Sequence, residues 1–216
     1  MDAFYSMVRF FLDGGAFMYP ILIVFAVGAA IAIERYITLS VVTRRNASMW
    51  NTLEPALASG DFEKARQMTS ADTSTVSRLL GMGLARQGAV RRREDIEIAM
   101  EESMMEIIPQ LEKRTGYVAL GASIATLLGL LGTIIGLIQA FTAVANANPA
   151  EKADLLSASI SVAMNTTAFG LMVAIPLLVS HSVLTAKTGQ IVDSLEMASV
   201  KALNVITTMA KRQVTE

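Results

Sequence analysis

The chain has 216 residues, 53% of them hydrophobic and 17% charged, with a mean hydropathy of +0.48. Soluble domains carry about 25% charged residues, so the composition points to a membrane protein, and a net charge of −1 offers no basic surface for nucleic acid. The absence of cysteine and the single histidine, His181, exclude disulfides, thiolate chemistry and a histidine metal cluster within one chain; with no Walker-type glycine loop or dinucleotide fingerprint either, neither an enzyme nor a bound cofactor is expected.

The N-terminal segment 1–15 contains "FYSMVRFFL", read as a short helix lying at the membrane surface. The first apolar stretch runs from Ala16 to Ile33 and meets Glu34 and Arg35. It is too long for a signal-peptide core and lacks a basic leader, so it reads as a retained span over 16–42. Glu34 and Arg35 then form an interfacial or intersubunit pair at the end of that span.

Residues 43–114 make a polar block with eleven Lys/Arg and eleven Asp/Glu. Ser59 or Asp61 offers a helix N-cap there. Ile96, Met100, Met104 and Ile107/Ile108 repeat at helical spacing. Only Pro109 interrupts the pattern between Glu94 and Ala145, which predicts one bent helix of about 50 residues, roughly 75 Å long. Arg91–Arg92–Arg93 reads as a solvated turn.

The second span, 115–146, lies in a stretch free of charge, as does the third, 156–186, beyond a short loop over 147–155. A span needs about 20 apolar residues, so three are expected. The tail 187–216 carries a further stripe of Ile191, Leu195, Ala198, Ala202, Val205 and Met209. Basic residues concentrate in the block (eleven) and the tail (four), whereas the loop between spans two and three has only Lys152. The positive-inside rule therefore puts the block and C-terminus in the cytoplasm and the N-terminus outside.

Within span two, Ala122, Thr126, Gly129, Thr133, Gly136 and Ala140 form a small-residue stripe, and Gly132 adds a further small position. Span three carries Ser159, Ala163, Thr166, Gly170 and Ala174 in the same way. In lipid, such stripes mark close helix contacts. Ser157, Ser161, Asn165, Thr166 and Thr167 also cluster in span three, where polar groups face a bundle interior or a watery path. Neither span holds an Asp, Glu, Lys or Arg. Hydroxyls carry no mobile proton at neutral pH, so a partner would have to bring a carboxylate if these residues line an ion path. Threonine hydroxyls can equally bond their own helix carbonyls, and that structural reading stays open.

"LLGLLGTIIGLIQAF" (127–141) and "NTTAFGLMVAIP" (165–176) resemble the two signature spans of the ExbB/TolQ/MotA family of ion-driven motor subunits of the bacterial inner membrane. "AIERY" after the first span and the three-span layout are similar to ExbB and TolQ in particular. The resemblance implies an all-α membrane protein with long cytoplasmic helical extensions, assembled as a homopentamer around a central pore. It also implies two copies of an ExbD/TolR-like single-span partner that supply a membrane aspartate, and a TonB-like or other periplasm-spanning protein driven by them. By motif position Thr133 and Thr167 match the family's ion-path threonines and Pro176 its span-three proline. Asn165, Ser161 and Thr166 complete the expected path, with Gly129, Gly132, Gly136, Gly170, Ala174 and Pro176 packing the pore helices. The doublet Thr166–Thr167 is similar to sodium-driven flagellar stators, which implies a sodium site at Thr133, Thr166 and Thr167 as the alternative to protons.

Three positions depart from ExbB and TolQ. Val162 stands where they have a glutamate, Thr126 where they have a proline, and His181–Ser182 where they have a tyrosine–asparagine pair. The expected function is an ion-conducting motor subunit using the proton or sodium motive force; the competing class is a non-conducting helical scaffold that anchors a partner.

Overall fold

The computed structural model describes residues 8–11, 13–86 and 93–215, with side chains to residue 209. Among them the regular structure is entirely helical. Six helices are named here: α1 (Met18–Ala58), α2 (Phe62–Ala71), α3 (Thr75–Arg86), α4 (Arg93–Glu112), α5 (Thr115–Asn146) and α6 (Lys152–Thr215). Most of "FYSMVRFFL", together with Arg91 and Arg92, lies outside the described residues. Three stretches of the described residues are long and apolar enough to cross a membrane. They lie in α1, α5 and α6, and no more than 33% of any apolar window is buried inside the chain. Surface of that kind belongs against lipid or other chains, so this is a multi-pass membrane protein.

The chain divides into two compact units. The first, Met1–Glu34 with Arg114–Val183, holds the start of α1, all of α5 and the first half of α6. Its helices meet through small residues. A Cβ on Gly28 would lie 2.9 Å from Leu177 Cδ2, one on Gly136 2.9 Å from Ala163 Cβ, and one on Gly170 only 2.7 Å from the Ala125 carbonyl. The buried face of α5 runs through Gly121, Ala122, Ala125, Gly129, Gly132 and Ala140. It is rotated from the expected stripe, because Gly170 abuts Ala125 and Gly129; Thr126 consequently points outward and bonds the Ala122 carbonyl (3.1 Å). On α6 the expected face is buried at Ala163, Thr166, Gly170 and Ala174, while Ser159 at its start is half-exposed. Phe11 stands edge-on to both Tyr19 (5.3 Å) and Phe169 (5.6 Å), which fixes the segment before α1 against the unit.

The second unit, Arg35–Lys113 with Leu184–Glu216, is a helical bundle built on the polar block. α1 ends in a Schellman motif: Asp61 N bonds the Ala56 carbonyl, Gly60 N bonds the Leu57 carbonyl, and Gly60 adopts φ +76°. Asp61 then caps α2 through Lys64 N (3.1 Å), so Ser59 closes one helix and Asp61 opens the next. Buried Asn46 of α1 reaches Thr75 Oγ1 and Val76 N at the start of α3. Asp72 accepts from Ser74 N (3.0 Å) and Ser77 Oγ (2.7 Å), and hydroxyl hydrogen bonds from Ser74 and Ser77 hold its carboxyl below the usual value. Ile96, Met100 and Ile107 of α4 are buried, as are Ile191, Leu195, Ala198 and Ala202 of α6.

Helix covers the expected stretch from Glu94 to Ala145, but it is interrupted at residues 113–114 and not merely bent at Pro109. α4 passes through Pro109 and stops at Glu112, and the chain turns at Arg114, whose φ is +66°. The cause lies in the competition for a carbonyl. In a continuous helix the Leu111 carbonyl would accept from residue 115, but here it accepts from Arg35 Nη2. Arg35 is 95% buried, and the partial negative charge of a helix C-terminus favours a cation there. The tail from residue 187 continues the helix of span three, since α6 runs unbroken from Lys152 to Thr215.

Candidate functional site

Two hydroxyls meet where α5 crosses α6 in the first unit. The crossing is tight because it is glycine on glycine: a Cβ on Gly129 would stand 3.3 Å from Gly170 Cα, the Thr166 carbonyl and Thr167 Cα. One turn along α5, Thr133 Oγ1 hydrogen-bonds directly to Thr167 Oγ1. Thr133 Oγ1 also approaches the carbonyls of Gly129 (3.2 Å) and Ala163 (3.3 Å), and Thr167 Oγ1 that of Gly129 (3.0 Å). Two hydroxyls and two backbone carbonyls thus converge in an apolar helix pair, with both threonines half-buried. Chemically the cluster offers oxygens for water or a hard cation, and a hydroxyl donor for a carboxylate arriving on their open side. The cluster itself contains no titratable group.

Thr166 stands apart from this pair. It is 98% buried; its Oγ1 donates to the Gly14 carbonyl (2.6 Å) and the Val162 carbonyl (3.0 Å), and its Cγ2 rests on Gly132. Ser161 is exposed and Asn165 half-exposed, and among the described residues no hydrogen bond joins either to the threonine pair. Gly132, Gly136 and Ala174 pack helix against helix, whereas Pro176 faces outward with its carbonyl bonded by Ser180 Oγ (2.7 Å). In the first unit Glu34 pairs with Arg114 at 3.8 Å. In the second, Arg35 grips Leu111, leaving its Nε without a partner among the described residues. Sequence reasoning missed the contribution of Gly14. The adjacent glycines Gly14–Gly15 ahead of an apolar span were the available signal for a tight turn.

Comparison with known proteins identifies the family. The model of the MotA/TolQ/ExbB proton channel family matches residues 71–197, more than half of the chain and including both threonines. The chain belongs to that family. An ExbB homolog of Methanothermobacter thermautotrophicus is 27% identical over 199 residues, covering 91% of this chain and 69% of that protein. The Tol-Pal system protein TolQ of Haemophilus influenzae is 31% identical over 115 residues, covering 53% of the chain and 48% of TolQ. The biopolymer transport protein exbB1 of Vibrio cholerae is 38% identical over 73 residues, 34% of this chain and 32% of that protein. The family match thus takes in α3 and α4 as well as the two helices that build the hydroxyl pair.

Proposed function

We propose that this chain is the ion-conducting subunit of a motor in the bacterial inner membrane, with its N-terminus in the periplasm and its C-terminus in the cytoplasm. Five copies surround a central pore. A dimer of an ExbD/TolR-like single-span protein occupies that pore and brings the aspartate that the spans 115–146 and 156–186 lack. Ion flow down the proton or sodium motive force turns one set of helices against the other, and a TonB-like or other periplasm-spanning protein receives the work.

The observation that carries this reading is the hydroxyl pair Thr133–Thr167 between two spans, 115–146 and 156–186, that hold no charged residue. Hydroxyls held at a fixed spacing can donate to a carboxylate when it is ionised. They can also hold the water or ion that the carboxylate exchanges. An ionised carboxylate in hydrocarbon without donors is costly, so the pair would lower the cost of the charged state and permit release. Sodium, if it is the ion, would find two hydroxyls and the carbonyls of Gly129 and Ala163.

The test is the double variant Thr133→Val, Thr167→Val, which keeps the shape and deletes both hydroxyls. Assembly is expected to survive, while ion conductance with an ExbD-like partner falls by at least tenfold. Full conductance in the double variant would refute the ion path. Equal conductance with and without the partner would instead refute its role as the source of the carboxylate.

A further inference from the structure

The polypeptide entering α1 does not reach it from the end of the bundle. Gly14 lies beside Thr166, Gly15 beside Val162, and Phe17 beside Gly132. From this level α5 continues 14 residues to Asn146, and α6 extends back 14 residues to Lys152. That is about 21 Å in each helix at 1.5 Å per residue. α5 stays apolar and exposed beyond the level, at Ile134, Ile138 and Phe141, which is surface suited to hydrocarbon. The turn over residues 14–17 is therefore non-helical backbone at membrane depth. Such backbone persists only where its polar groups are satisfied inside protein.

Gly14 shows how that is met. It is buried, and a Cβ on it would collide with the side chain of Met18. Gly15 takes φ +77°, which a side chain would resist. The Gly14 carbonyl accepts from Thr166 Oγ1 at 2.6 Å. We propose that Thr166 is the latch of this elbow: a positioning residue that ties the entry of span one to span three, and not an ion ligand. The doublet divides its duties, Thr167 facing the hydroxyl pair and Thr166 the elbow. The division of duties rests on Thr133 and Thr167 lining an ion path; the latch itself does not.

Because the chain has no cysteine, a single one placed at exposed Ala16 reports the elbow directly. The full chain with its partner in lipid would be labelled with a membrane-permeant maleimide. Thr166→Val keeps the methyl on Gly132 and removes the donor; Thr166→Ser keeps the donor and removes the methyl. Labelling of Ala16→Cys is expected to rise about fivefold in Thr166→Val, the effect of losing one ordinary hydrogen bond, and to stay at the parent rate in Thr166→Ser. The ratio of activity with and without sodium is expected to be unchanged in both. Unchanged labelling in Thr166→Val, or equal increases in both variants, would overturn the latch. A selective loss of sodium dependence in Thr166→Val would restore Thr166 as an ion ligand. If Thr166→Val fails to assemble, assembly in Thr166→Ser supports the hydroxyl's role and failure in both refutes it. Failure of the ion path would appear instead in the Thr133, Thr167 double variant, with the elbow labelling untouched.

Discussion

Gly170→Ala adds one methyl at the tightest point of the α5–α6 crossing. That methyl would lie 2.7 Å from the Ala125 carbonyl oxygen, 3.1 Å from Gly129 Cα and 3.4 Å from Gly129 N. All three are backbone atoms of a helix, so no rotamer change relieves the clash and the two helices must separate. Overpacking of this kind costs roughly 1–3 kcal/mol, and the rigid neighbours argue for the upper half of that range. Alanine returns up to about 1 kcal/mol of helix propensity, leaving a net loss near 1–2 kcal/mol. Gly189→Ala is the control, because a Cβ there meets nothing within 4 Å and only the propensity gain of about 0.5–1 kcal/mol should appear. Thermal unfolding in mild detergent should separate the two variants by about 1.5–3 kcal/mol, several degrees in midpoint at about 2–4 °C per kcal/mol. Gly170→Ala should also weaken conductance, since Thr167 lies one turn away and its bond to Thr133 needs the close approach. A Gly170→Ala midpoint equal to or above that of Gly189→Ala would refute the glycine crossing.

Arg114→Gly should be neutral or stabilising in the same unfolding measurement. Glycine removes about 1 kcal/mol of left-handed strain at φ +66°, against the loss of an exposed pair with Glu34 worth at most about 1 kcal/mol. The Asp72 carboxyl, held below its usual value by Ser74 and Ser77, should stabilise the start of α3 at neutral pH. That contribution is complete above the unfolded-state value near 4 and is lost as the pH falls through the lower folded-state value. Protection of the amides in the first turn of α3, taken relative to their intrinsic exchange rates, should therefore fall below about pH 4 in the parent, while in Asp72→Asn it should not change across that range.

The parts of this molecule that could be read from sequence are those where one residue type has one physical use. Apolar length gave three membrane-competent helices, and a small-residue period gave the buried face of α6 at Ala163, Thr166, Gly170 and Ala174. The motif placed Thr133 opposite Thr167, and the structure brings those two hydroxyls together. What escaped depends on contacts between residues far apart in the chain. The break at Arg114 comes from Arg35, 76 positions before Leu111, claiming a carbonyl that the local pattern assigns to the helix. Pro109, the local breaker, is simply carried inside α4. The rotation of α5 that turns Thr126 outward follows from which glycine Gly170 meets, and a single-helix stripe cannot express that. Thr166 and Thr167 make the same point most sharply. Adjacent and chemically identical, they sit about 100° apart on a helix, so one donates to an elbow 152 residues away while its neighbour reaches α5. Their separate partners, and not their shared hydroxyl, decide what each one does.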